Sequence, residues 1–247
     1  MKLLIDIGNT NSSLAAVSGR KIVKRWFVSS RKKQVEPASL KRLLRLYIKD
    51  IDSIVIVSVV PKFLTVVKNS LKKVLPNAGV KVVGKNIKVP ISNKYSKPRQ
   101  VGQDRLVAAY SASKEFGTPL LVVDFGTAVT FDLINKKGEY EGGLIFPGIR
   151  LGLSSLSAHA ALLPKVDIKP QQGLIGKDTK GSINKGIIHG YASLCDGMID
   201  KFRSKYGKDL NVVATGGDAA LIARYSKNLK TISKDLIFKG LALLVSQ

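Results

Sequence analysis

The sequence predicts an α/β fold built from two similar halves, on three observations. The first is an internal echo. Leu3-Leu4-Ile5-Asp6-Ile7-Gly8-Asn9-Thr10 stands near the start and Leu121-Val122-Val123-Asp124-Phe125-Gly126-Thr127-Ala128 later, the two aspartates 118 positions apart in a chain of 247 residues. Each copy reads as an apolar strand, an Asp-x-Gly turn and a hydroxyl-bearing residue, and an apolar or alternating run then resumes over 13–17 and 129–134, so each predicts a hairpin. The second is the alternation of strand-like and helix-period runs along the whole chain. The third is a composition of 45% hydrophobic and 23% charged residues, which excludes disorder, collagen and coiled coil as the dominant state.

The elements follow in order. Trp26-Phe27-Val28 extends the first hairpin by a third strand. Residues 36–50 predict a helix, with Leu40, Leu43, Leu44, Tyr47 and Ile48 at helical spacing. The β-branched run 53–60 predicts a buried parallel strand. A helix over 63–75 follows Pro61, and a short strand over 80–83 comes next. Residues 85–100, polar and broken by prolines, predict a loop, and 103–116 a helix leading into the second half. After the second hairpin, 142–148 reads as a strand and turn and 151–163 as a helix. Residues 164–180 read as a loop carrying Pro170, Gly173 and Gly176, and 182–206 as a long helix whose Gly186, Gly190 and Gly197 permit close packing. A strand over 210–214, a turn over 215–218, a helix over 219–225 and a last helix over 236–245 complete the chain. The natural division is 1–114 and 115–247.

Charge is the unusual feature. There are 41 Lys and Arg against 17 Asp and Glu, a net +24. Such a field attracts polyanions, whether nucleic acid, acidic membranes or phosphorylated ligands. The basic residues are scattered, however, and the densest cluster, Arg31-Lys32-Lys33, is short. Apolar runs such as 54–60 fall far short of the roughly 18 residues that span a bilayer, so no membrane association is expected. Asp6 interrupts the N-terminal apolar stretch, which argues against a signal peptide. The single cysteine, Cys195, cannot form an internal disulfide, and this fits a reducing cytoplasm.

The Asp-x-Gly turns carry the clearest chemistry. Glycine lets the backbone approach a phosphate, the following amides and hydroxyl donate to its oxygens, and an aspartate at the strand end can hold a bridging cation. Singly each is an ordinary β-turn; two of them, each after an apolar strand, point to polyphosphate binding. The nearest approach to a P-loop, residues 79–86, lacks the final Ser or Thr, and no Gly-x-Gly-x-x-Gly, His-Glu-x-x-His or Cys-x-x-Cys occurs. His159, His189 and Cys195 fall in predicted helices and read as packing or surface residues.

Four ordered blocks then reach a known pattern: DIGNT from Asp6, VGQDR from Val101, VVDFGTAVTFD from Val122 and TGGDA from Thr215, with GGLIFPGIRLGLSSL from Gly142 in support. In this the chain resembles the type III pantothenate kinases, of the acetate and sugar kinase, Hsp70 and actin superfamily. The resemblance implies two actin-like (ribonuclease H-like) lobes with mixed sheets flanked by helices, the C-terminal lobe carrying dimerisation helices. It implies ATP-dependent phosphorylation of pantothenate to 4'-phosphopantothenate, the first step of coenzyme A biosynthesis, in a cytoplasmic homodimer. Asp6, Ile7, Gly8, Asn9, Thr10, Asn11, Ser12 and Ser13 would form the first phosphate loop, with Asp6 near Mg²⁺. Asp124 would hold a monovalent cation, K⁺ or ammonium, and Thr127 would touch the ATP phosphates. Thr215, Gly216 and Gly217 would take the adenosine side, although by themselves they also read as a helix-entry turn.

Gly102, Gln103, Asp104 and Arg105 would hold the substrate, with Asp104 as general base and Arg105 paired to the substrate carboxylate. Without that context Asp104-Arg105 also fits a helix-start ion pair. Tyr95 and Thr179 match substrate-contact positions, Thr179 reaching across a dimer interface. Taken alone, Tyr95 would be packing and Thr179 an N-cap. The Gly176-Lys177-Asp178-Thr179 text departs from the family's commoner Asn-Thr. The alternative to a kinase is a nucleic-acid-binding regulatory protein on the same scaffold, which would need no Asp104.

Overall fold

The structure is a computed structural model and describes residues 1–19, 21–30 and 34–245. The Arg31-Lys32-Lys33 cluster lies outside the described residues. The chain forms two compact units, Met1–Lys114 with Asp235–Gln247, and Glu115–Lys234.

The first unit is a five-stranded mixed sheet in the order β3-β2-β1-β4-β5. Its strands are β1 (Lys2–Ile7), β2 (Asn11–Ser18), β3 (Lys21–Ser29), β4 (Ser53–Ser58) and β5 (Gly79–Val82). β1, β2 and β3 form an antiparallel meander, and β4 and β5 add in parallel on the other side of β1. Alternation along β1 decides what covers each face. Leu3, Ile5 and Ile7 meet Leu14, Ile54 and Ile56 under α1 (Pro37–Leu44) and α2 (Pro61–Val74). Leu4 meets Ala15, Val55 and Val57 under α3 (Gln103–Phe116) and α7 (Leu236–Leu244).

The second unit repeats the plan, with sheet order β10-β9-β6-β7-β8. Here β6 (Leu120–Phe125), β7 (Ala128–Ile134) and β8 (Tyr140–Pro147) are the meander, and β9 (Asn211–Gly216) and β10 (Thr231–Ile232) the parallel pair. Leu121, Val123, Phe125, Val129 and Phe131 form a core with α5 (Thr179–Tyr206), which contributes Ala192, Cys195 and Ile199. The connections α4 (Ile149–His159) and α6 (Ala219–Ala223) complete it. The α/β expectation and the internal echo therefore hold at the level of topology, β1 to β5 corresponding to β6 to β10.

Several expectations are corrected. The C-terminal helix packs on the first unit, not with residues 115–234: Gly240 of α7 lies where a Cβ would come 2.7 Å from Val107 O of α3. The helix expected over 36–50 ends at Leu44. Leu40 and Leu44 are already buried there, and the chain tightens into turns, with Tyr47 N–H donating to Leu44 O at 2.7 Å. α5 begins at Thr179 because Asp178 is its N-cap, accepting from Gly181 N–H at 2.8 Å, so Thr179 is the first helical residue and not the cap. Gly186, Gly190 and Gly197 were expected to permit close packing, but a Cβ on any of them would meet nothing within 4 Å. β10, two residues long, has no sequence signature.

Candidate functional site

In the first unit, Asp6 sits at the C-terminal end of the central strand, between Ser13 of β2 and Val57 of β4. The hairpin turn closes with Gly8 N–H donating to Asn11 O at 3.1 Å. The turn leaves Asn9 and Asn11 exposed and Gly8 and Thr10 half-buried. Thr10 O accepts from Ser30 N–H at 3.0 Å, and Ser12 Oγ and Ser30 Oγ are 2.8 Å apart, so Ser30, the residue after β3, braces the turn. Two residues expected to bind ATP are thereby limited. The Ile7 side chain is buried in the core, and the Ser12 hydroxyl is buried against Ser30.

Asp6 and Ser13 face the side of the sheet covered by α3, because they continue the Leu4 and Ala15 rows. α3 delivers Asp104 in its first turn, where the helix dipole favours a carboxylate. A Cβ on Gly102 would lie 3.4 Å from Val59 Cγ1, just past the end of β4, and 2.4 Å from Asp104 Oδ1. Glycine at 102 thus lets the carboxylate fold back over its own turn, where Asp104 Oδ1 accepts from Arg105 N–H at 2.8 Å. Gly102, Gln103, Asp104 and Arg105 are all half-buried. This unit therefore brings the DIGNT turn and VGQDR to one face of one sheet. Tyr95 lies in the preceding loop, half-buried, its N–H donating to Asn93 Oδ1 at 3.0 Å.

In the second unit Asp124 occupies the position equivalent to Asp6, between Thr130 of β7 and Thr215 of β9. Gly126 and Thr127 form the exposed turn, closed by Gly126 N–H donating to Ala128 O at 3.1 Å. Gly148 N–H donates to Thr127 O at 3.1 Å, and a Cβ there would fall 2.2 Å from that oxygen. Gly216, at φ +93°, lies against the same aspartate: a Cβ would come 2.5 Å from both Asp124 Oδ1 and Phe125 O. Arg150 Nη2 donates to Asp218 Oδ1 at 3.3 Å, joining the residues after Gly148 to those after Gly217. The 142–156 block carries part of the family resemblance, but its sequence alone assigns Gly148 and Arg150 no role. Their signal was a glycine after a strand and an unassigned arginine, which only the fold pairs with Asp218. Thr179 is carried separately, exposed, on α5.

Asp124 Oδ1 and Phe125 O thus both stand close against the Gly216 backbone, where no side chain fits. Among the described residues no three His, Cys, Asp or Glu side chains group to hold a metal ion. Cys195 takes no part: burial pushes its thiol up to about 12, where it stays protonated and unreactive at neutral pH.

Two units of one mixed-sheet topology, each with an Asp-x-Gly turn at the end of its central strand, define a duplicated α/β fold. The sequence profile of the type III pantothenate kinases matches residues 2–201, and the chain belongs to that family. The type III pantothenate kinase of Desulfosudis oleivorans is 39% identical over 100% of this chain and 99% of its own length. That of Halalkalibacterium halodurans is 36% identical over 99% and 98%. A solved structure of a conserved Baf family protein from Campylobacter jejuni covers 99% of this chain and 97% of its own, with a TM-score of 0.63 at 20% identity, a likeness of fold.

Proposed function

We propose that this enzyme transfers the γ-phosphoryl group of ATP to the primary hydroxyl of pantothenate, giving 4'-phosphopantothenate and opening coenzyme A biosynthesis. The observation that carries the residue assignment is the placement of Asp104. A carboxylate in the first turn of α3 stands on the sheet face where the Asp6 turn ends. Phosphoryl transfer proceeds through a loose transition state that needs positioning and charge more than covalent help. Asp104 takes the proton of the attacking hydroxyl as the O–P bond forms, and Arg105 pairs with the substrate carboxylate. Tyr95 and Thr179 contact the rest of the acceptor. Asp6 to Ser13, Thr127 and Thr215 to Gly217 bind ATP, largely through backbone amides. Asp6 would hold Mg²⁺ and Asp124 a K⁺ or ammonium ion, each neutralising phosphate charge.

The expected result is pantothenate-dependent ADP release in a coupled assay with ATP, Mg²⁺ and K⁺, lost when Na⁺ replaces K⁺. A folded, ATP-binding protein that releases no ADP with pantothenate would sink the acceptor assignment. Retained activity in Na⁺ would sink the cation role of Asp124 alone. A nucleic-acid-binding regulator is not favoured, since such a protein has no use for a carboxylate held over the start of α3.

The enzyme acts as a homodimer in the cytoplasm. The dimer reading is supported by the second unit, where Gly186 and Gly190 leave open an apolar groove lined by Phe146, Ile187, Tyr191 and Leu194. Ile145 and Leu151 nearby in sequence are more than half exposed. Contiguous apolar surface of this kind marks an interface. Light scattering should give twice the chain mass, and a monomer at assay concentration would overturn it. Among the described residues no helix is long and apolar enough to cross a membrane.

A further inference from the structure

Residues 160–178, between α4 and α5, form neither helix nor strand. Loops this long inside a compact unit usually serve function. This one is anchored with a regular period. The backbones of Asp167, Lys169, Gln171, Gly173 and Ile175, every second residue, each meet a side chain from elsewhere in the unit. Asn184 donates from Nδ2 to Asp167 O at 3.3 Å and accepts from Lys169 N–H at 3.2 Å. The Tyr225 hydroxyl accepts from Gln171 N–H and donates to Gln171 O, both at 2.8 Å. His189 Nε2 lies 3.3 Å from Gly173 O, and Lys185 Nζ donates to Ile175 O at 2.7 Å. An extended segment ordinarily satisfies its backbone in a sheet. Here the side chains of α5 and Tyr225 replace the missing strand.

The anchors support one another. The rings of His189 and Tyr225 meet edge to face at 5.3 Å, and Asn184 is only 6% exposed, so its amide is costly to leave unsatisfied. Ile168, between two pinned residues, turns into the core. Past Ile175 the strap folds onto the first turn of α5. A Cβ on Gly176 would lie 2.3 Å from Ser182 N, Asp178 O accepts from Ser182 N–H at 2.8 Å, and the Asp178 side chain caps Gly181. Thr179 is the next residue. Its approach is thus set by a backbone pinned at five points between 167 and 175.

We propose that Tyr225 and Asn184 are positioning residues for substrate binding. They hold the 167–178 strap in register on α5, so that Thr179 is presented to pantothenate. This rests on the assignment of Thr179 above, and the experiment separates the two. Tyr225→Phe removes only the hydroxyl and keeps the ring on His189. It should raise KM for pantothenate about five- to tenfold, the size of one or two lost hydrogen bonds, with kcat and KM for ATP within about twofold. Amide exchange over 167–177 should accelerate. Asn184→Ala should act in the same direction. Thr179→Ala should raise KM for pantothenate by itself, and in that background Tyr225→Phe should add nothing, because its effect runs through Thr179. Faster exchange with unchanged KM, or an equal rise in the Thr179→Ala background, overturns the positioning role. If Thr179→Ala leaves KM as in the parent enzyme, the Thr179 assignment falls and this role falls with it. A normal Thr179 effect beside a silent Tyr225→Phe removes the positioning role alone.

Discussion

Asp104→Asn should lower kcat about 100-fold or more while ATP affinity stays within about twofold, the reduction expected when a positioned general base is lost. The substitution keeps the shape of the side chain and gives up its charge, which at a helix N-terminus is worth about 0.3–1 kcal/mol of stability. The asparagine Oδ1 can still accept the Arg105 N–H bond now made at 2.8 Å. The carboxylate lies on a helix start whose backbone is set by Gly102 O accepting from Arg105 N–H and Leu106 N–H, neither of which involves the side chain. What disappears for the reaction is the capacity to take a proton. A 100-fold loss corresponds to about 2.7 kcal/mol of transition-state stabilisation. Steady-state kinetics with saturating pantothenate, beside nucleotide binding by calorimetry, measure the two quantities. A kcat within about threefold of the parent would remove Asp104 from the chemistry and leave a helix-start carboxylate.

Much of this site was legible because its parts are local. An Asp-x-Gly turn after three or four apolar residues gives a hairpin from propensity alone, and both hairpins form where the sequence places them, β1–β2 and β6–β7. The helix carrying Asp104 begins at Gln103 and ends at Phe116, the bounds its pattern predicts. What escaped depends on partners distant in sequence. Nothing in the text of 236–244 says that this apolar helix would cross α3 at Val107 instead of staying with the residues before it. Ile7 and Ser12 belong to a phosphate-loop motif, yet strand alternation turns the first into the core and Ser30 captures the hydroxyl of the second. The strap over 160–178 read as an ordinary loop because side chain-to-backbone bonds, unlike helices and strands, leave no period in the sequence.

The repeat also sets the two aspartates in different surroundings. Both stand at the end of a central strand between an antiparallel and a parallel neighbour. Around Asp6 the neighbours are Ser13 and Val57, and the helix over that face brings Asp104. Around Asp124 they are Thr130 and Thr215, and two glycine turns, at 148 and 216, close on the hairpin. One topology thus yields one strand end that shares its face with a second carboxylate and another closed in by glycine turns, and the proposed roles of proton transfer and cation binding follow that difference.

Gly216→Ala should therefore be among the most damaging single changes in the second unit, and its neighbour supplies the control. The residue sits at φ +93°, where an L side chain costs about 1–2 kcal/mol. Its new methyl would fall 2.5 Å from Phe125 O, a backbone atom of the central strand that cannot rotate away, and 2.5 Å from Asp124 Oδ1. Overpacking of this kind adds roughly 1–3 kcal/mol. The sum, about 2–5 kcal/mol, is a large fraction of the roughly 5–15 kcal/mol that holds a native protein together. Relief comes only if β9 shifts from β6 or Asp124 swings aside, and either movement disturbs the surroundings of Asp124, the residue proposed to hold the monovalent ion. Gly217, one residue on, has open space where a Cβ would be, so Gly217→Ala should change stability by no more than about 0.5 kcal/mol. Urea unfolding of the two variants should separate them by several-fold in ΔΔG, and the surviving Gly216→Ala enzyme should have lost its response to K⁺. Equal midpoints for the two alanines would mean that the β9 turn is loose enough to absorb a methyl, and the packing of Gly216 on Asp124 would then have no part in holding the ion.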